Sequence, residues 1–168
     1  MDISIKLIIV VIATLLTGLS AGLCFTWTNA VTSGIGRLEN LSYLQAFQQM
    51  NRAIINPTFI VVFFGPFVAQ MISIFLYKNT LNSISYLLVA ATLLYFFGLV
   101  IVTIFGNVPL NEILDKVNLS TASASELQSL RDQFEIKWNQ WHLVRTITSI
   151  LSFGILLITL IKITQYKS

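Results

Sequence analysis

The run LLVAATLLYFFGLVIVTIFG, from Leu87 to Gly106, decides the fold. A helix rises 1.5 Å per residue, so about 20 apolar residues cross roughly 30 Å of hydrocarbon. A helix also satisfies its own backbone groups where no water is present. The charge-free stretch around this run extends from Asn79 to Asn111, and three others accompany it: Leu7 to Gly36, Ala53 to Tyr77 and Thr146 to Ile161. The last is short, but Leu143, Val144 and Ile163 lengthen it. The pattern predicts an all-α integral membrane four-helix bundle, a single membrane domain over 1–168, with spans near 6–29, 57–77, 82–106 and 143–163. Composition agrees: 55% of residues are hydrophobic and 10% charged, where soluble domains are nearer a quarter charged.

The first span reads as a retained helix. Its apolar run exceeds an ordinary signal-peptide core, Lys6 alone supplies a flanking charge, and Leu23 is too large for a lipoprotein-type cleavage before Cys24. Four spans put both termini and the 77–82 turn on one side, with Lys6, Lys78, Lys162 and Lys167 against Asp2. The other side carries Arg37, Arg52, Lys116, Arg131, Lys137 and Arg145 over much longer loops, balanced by six acids. The basic bias places both termini in the cytoplasm and the long loops outside, as in the inner (plasma) membrane of a bacterium. The expected partner is the lipid bilayer. A net charge of +3 implies no nucleic acid, and the oligomeric state stays open.

The outer connections carry structure of their own. Leu38, Leu41, Leu44, Gln45 and Gln48 recur at helical spacing, predicting a helix over 39–54 that lies at the interface or caps the bundle. Asn56-Pro57 is a cap followed by a good first helical residue, so span two starts there. Gly65-Pro66 predicts a kink inside it, and Pro109 an end or kink of span three before a short turn over 110–117. Ser123 and Glu126 fit a capping box. With no Pro or Gly from there to Gly154, the outer-side helix over 124–142 runs unbroken into span four, about 38 residues or roughly 57 Å. Gly18 and Gly22 read as close helix packing within the bundle.

Polar and aromatic residues gather where that last helix enters the membrane. Trp138, Trp141, His142, Arg145 and Thr146 stand at spacings close to one helix face, and His142 is the only histidine. An imidazole acts as acid or base near neutral pH, and a guanidinium holds an anionic oxygen. Trp and Arg are equally ordinary interface anchors, with Arg snorkelling outward. Asn29, Asn51, Asn56, Asn107 and Asn111 all fall near the outer span ends. They read as caps and turn residues, or as the lining of a polar pocket above an apolar bundle. One histidine excludes a bis-histidine haem, and one cysteine excludes an internal disulfide. A zinc ion would have to recruit His142 with carboxylates such as Glu112 or Glu135, and no close ligand pair advertises one, so the expectation is no metal and no cofactor. The spans' cores lack acids and bases, which argues against a proton-coupled pump.

Three segments occur in order: Asn51…Asn56-Pro57-x-Phe59, Asn107-Val108-Pro109-Leu110-Asn111 and Trp138…Trp141-His142-x-x-Arg145-Thr146. Together with the four spans they resemble the anthrone oxygenase family of small membrane proteins, over nearly the whole chain. The resemblance implies a four-helix membrane bundle. For characterised fungal members it implies oxidation of an anthrone to an anthraquinone by dioxygen, without a cofactor. His142 is then the candidate base beside Arg145, and Asn107, Asn111, Trp138 and Trp141 shape the pocket, with Asn51 and Asn56 at the same end. The expected ligand is a small apolar, aromatic or quinone-like molecule in an outer-side pocket. The alternative is a non-catalytic binding or scaffold protein that uses the 124–142 helix to contact a partner.

Overall fold

The computed structural model describes residues 4–79 and 82–167; Asp2 and the centre of the 77–82 turn lie outside them. Five helices follow one another among the described residues: α1 Ile5–Ile35, α2 Asn40–Ile54, α3 Pro57–Tyr77, α4 Ser83–Asp115 and α5 Ala124–Lys167. All but α2 are long and apolar enough to cross a membrane. Their ends follow local chemistry. Asn56 Oδ1 accepts the Phe59 N–H at 2.9 Å, with Pro57 opening α3. The Ser123 N–H donates to the Glu126 carboxylate at 2.7 Å, and the Glu126 N–H returns to Ser123 Oγ at 3.4 Å. From that box α5 runs unbroken for 44 residues, about 66 Å at 1.5 Å per residue.

Both internal prolines stay within continuous helices, so α4 does not end at Pro109 but runs on to Asp115. The physical reason lies just upstream. Residues Thr103–Asn107 form a widened turn, in which the Val108 N–H reaches back five residues to the Thr103 carbonyl. The extra residue eases a ring that donates nothing and would crowd the carbonyl four residues back. Helix α3 likewise continues through Pro66. Nearby, the Phe63 carbonyl accepts the Tyr95 hydroxyl from α4 at 2.8 Å.

The bundle has its polarity turned outward-in. Leu15, Val61, Phe75, Leu93, Phe97 and Leu151 are exposed, while Thr14, Thr17, Ser20, Gln70, Ser73, Thr92, Ser149 and Ser152 are buried. Several interior hydroxyls bond the carbonyl one turn back, as Thr14 does to Val10 at 2.8 Å. Others cross between helices, as Gln70 Nε2 does to Thr17 Oγ1 at 2.9 Å. An apolar exterior over a small, hydroxyl-rich interior suits a lipid bilayer, where close packing and interhelical bonds replace a hydrophobic drive. Gly98 lets Thr148 of α5 press directly on α4, and Gly18 does the same for Phe153 on α1. Gly22 faces no neighbour, so only one member of the predicted glycine pair serves packing.

At the end of the bundle that carries the long connections, here the loop end, α2 caps the projecting part of α5. Tyr43, Leu44 and Phe47 of α2 pack with Leu114 of α4 and with Leu127, Phe134 and Trp138 of α5. Phe47 stands edge-on to Phe134 at 4.8 Å and to Trp138 at 4.9 Å, the arrangement that ring quadrupoles favour. Gln48 Nε2 donates to the carbonyls of Leu114 and Val117 at 2.7 and 3.0 Å, satisfying the frayed end of α4. Arg131 stitches the α1–α2 turn, donating to the carbonyls of Gly36 and Leu38 at 2.7 Å each and to Glu135 at 2.7 Å. Its guanidinium also covers the Tyr43 ring at 4.3 Å. Burial, with Glu135 adding to it, pushes the Tyr43 phenol up, so the ring stays neutral beneath that cation. The apolar face of the α5 extension is therefore already occupied by α2.

Candidate functional site

A cavity of about 350 Å³ sits where this cap meets the membrane bundle. Helix α1 contributes Ser20, Leu23, Cys24 and Trp27, the end of α2 Asn51 and Ile54, and the start of α3 Phe59, Val62 and Phe63. Helix α4 adds Thr103, Val108 and Asn111, and α5 adds Trp138, His142 and Arg145. Arg52 and Asp115, each about half exposed and paired at 2.7 Å, also line it; an exposed pair of this kind adds little stability. The volume lies at the small end of the usual ligand-pocket range of about 300–1,000 Å³, and the apolar lining with a few convergent polar groups is typical of such sites.

The α5 face is built by spacing. Trp138 and His142 are one step of four apart, and their rings stack at 4.8 Å with planes 16° from parallel. The indole N–H donates to Asn111 Oδ1 at 2.8 Å, and Asn107 Nδ2 donates to the Trp138 carbonyl at 3.1 Å. Asn111 of α4 thus holds the ring that backs the histidine, and Asn107 holds the backbone that carries it. Trp27 closes the other side, 6.2 Å from the imidazole and 5.6 Å from the Trp138 indole.

The hydrogen bonds assign the tautomer of His142. An Arg145 terminal nitrogen lies 2.6 Å from Nδ1. A guanidinium only donates, so Nδ1 accepts. Nε2 then carries the proton and donates it to the Cys24 carbonyl at 3.1 Å. Thr146 supports the same carbonyl at 3.3 Å and bonds Thr28 across to α1 at 2.8 Å. The other terminal nitrogen of Arg145 donates to Thr103 Oγ1 at 3.1 Å, whose own proton goes to the Leu99 carbonyl at 2.7 Å. Arg145 Nε has no partner. Only Arg52–Asp115 and Arg131–Glu135 form ion pairs among the described residues. Arg145 is in neither, and the guanidinium turns inward instead of snorkelling, bonded only to neutral atoms.

The residues singled out from sequence divide by position. Asn51, Asn111, Trp138, His142 and Arg145 line the cavity. Asn107 is buried behind it as a buttress of Trp138. Asn56 is a helix cap, its amide also donating to the Ala53 carbonyl at 3.0 Å. Trp141 remains 45% exposed, lying over Gly106 on the outside of α4. Asn56 and Trp141 are not among the residues that line the cavity. Trp27, Thr103 and the Cys24 carbonyl were not anticipated. Trp27 had a signal, being the third tryptophan and near a span's outer end; a threonine and a backbone carbonyl inside spans had none. Widened turns at Trp27–Val31 and Thr103–Asn107 carry two of these residues, and such turns recur at functional sites because one extra residue re-aims the side chains around it. Among the described residues no three of His, Cys, Asp and Glu gather as a metal site.

No curated protein and no solved structure matches the chain significantly. A family model described as anthrone oxygenase matches residues 58–155, more than half of the 168-residue chain. The matched stretch includes Thr103, Asn107, Asn111, Trp138, His142 and Arg145 and excludes the α1 and α2 walls. By this match the chain belongs to the anthrone oxygenase family.

Proposed function

We propose that the loop-end cavity binds a small, planar, apolar ketone such as an anthrone and oxidises it with dioxygen, using His142 as base and Arg145 as the holder of the enolate oxygen. The observation that carries this reading is Arg145 itself: a cation bonded to a hydroxyl and an imidazole, with no carboxylate, in the wall of an apolar cavity. A partly buried charge without a counter-charge favours an arriving anion. An enolate forming beside it would gain that stabilisation only as its charge develops, which is the condition for lowering a barrier.

The reaction balances with dioxygen as the oxidant. A proton leaves the methylene carbon opposite the ketone for His142, and its electron pair moves into the ring system onto the ketone oxygen. The electron-rich carbon reduces dioxygen and forms a carbon–oxygen bond, giving a hydroperoxide once protonated. Loss of water from that hydroperoxide leaves the second carbonyl, so anthrone and dioxygen become anthraquinone and water. The aromatic walls Trp27, Phe59 and Trp138 suit a flat tricycle.

The test is oxygen uptake and quinone formation by the purified protein with anthrone as probe. His142→Ala should lower turnover by about 10²- to 10⁴-fold, the usual contribution of a positioned base. Turnover equal to the wild type would remove His142 from that role.

A further inference from the structure

We infer that Arg145 is a latch on the one basic lone pair of His142, and that the substrate's oxygen releases it. This rests on the reading of the cavity as an enolate-forming site. Nε2 carries the proton and faces the Cys24 carbonyl at 3.1 Å, so it has no lone pair to offer. Nδ1 has the lone pair, but an Arg145 terminal N–H covers it at 2.6 Å. Without a ligand the imidazole is therefore correctly oriented and chemically masked.

The mask is held by weak competition. Arg145 has only neutral acceptors, Nδ1 and Thr103 Oγ1, and its Nε is unpartnered. A guanidinium bond to a neutral acceptor is already charge-assisted, and an anionic oxygen adds a charge–charge attraction that neither Nδ1 nor Thr103 Oγ1 supplies. The oxygen of a bound ketone draws the guanidinium from Nδ1, and the new bond tightens as enolate charge develops. As Arg145 turns to the oxygen, Nδ1 is exposed to the carbon acid, and the same movement brings the countercharge to the product anion. Trp138 stacked on the ring and the Cys24 carbonyl on Nε2 keep the imidazole still while its partner leaves. Deprotonation is thereby tied to occupancy. Proton transfer from carbon to Nδ1 leaves an imidazolium with Nε2–H still on the Cys24 carbonyl.

With a single histidine, nitrogen-15 NMR of histidine-labelled full-length protein in detergent reads this directly. The probe is 1,2-dihydroxyanthraquinone, a flat tricycle that forms an oxyanion near neutral pH, with its binding followed independently by tryptophan quenching. Ligand-free protein should show the Nε2–H tautomer with Nδ1 at a hydrogen-bonded position. On binding, Nδ1 should move to the free or the protonated position. Arg145→Met should show free Nδ1 before any probe is added. An Nδ1–H tautomer in ligand-free wild type overturns the latch, and so does quenching without movement of Nδ1. Absence of quenching overturns the reading of the cavity, and the release step falls with it. The wild-type tautomer measurement stands even if the Arg145 variant does not fold.

Discussion

The indole of Trp138 lies flat against the imidazole of His142, centroids 4.8 Å apart, while its N–H is held by Asn111 at 2.8 Å. The histidine thus inherits its orientation from a ring fixed to a different helix. Trp138→Phe keeps a ring but strands the Asn111 acceptor. A lost hydrogen bond of about 1–1.5 kcal/mol corresponds to roughly a tenfold fall in anthrone turnover, expected in kcat more than in KM. Trp138→Leu, which removes the stack as well, should fall further.

Asn56 and Asn111 separate a cap from a site residue. Asn56→Ala should destabilise the protein by about 1 kcal/mol in a detergent unfolding titration and leave turnover per folded molecule as it was. Asn111→Ala should instead lower turnover severalfold. Equal effects of the two on turnover would contradict the division of the asparagines made above.

Gly98 and Thr148 bring α4 and α5 together, with no room for a β-carbon at position 98. Gly98→Ala should cost about 1–3 kcal/mol, the ordinary penalty of overpacking, and Thr148→Gly in the same chain should recover part of it. Gly22→Ala, which meets no neighbour, is the control and should be neutral or slightly stabilising.

Arg131 ties the α1–α2 turn to α5 through the Gly36 and Leu38 carbonyls. Arg131→Gln should cost about 2 kcal/mol, the scale of bonds to a charged group, and should speed limited proteolysis near residues 36–40. Arg131→Lys should rescue little, because a point ammonium cannot reproduce a fork that serves two carbonyls and Glu135 together. Full rescue by lysine would mean that charge alone holds the turn.

Four spans, the Asn56-Pro57 start, the Ser123–Glu126 box and the unbroken final helix were legible in the amino-acid order. Each depends on neighbours within a few residues: a run without charge, a cap within hydrogen-bond reach of the next turn, or the absence of Pro and Gly. Even the stack of Trp138 on His142 is foreshadowed by a spacing of four. Tertiary structure alone decided which polar groups meet. Arg145 turns inward because Thr103 of α4 and the His142 ring lie within its reach, and the Cys24 carbonyl, 118 residues from His142, sets the tautomer. Asn51 and Asn111 line the cavity and Asn56 and Trp141 do not, a division set by how the helices sit against their neighbours. Widened turns in α1 and α4 change the rotation of those helices by a residue, and period counting along a regular helix has no means of registering them.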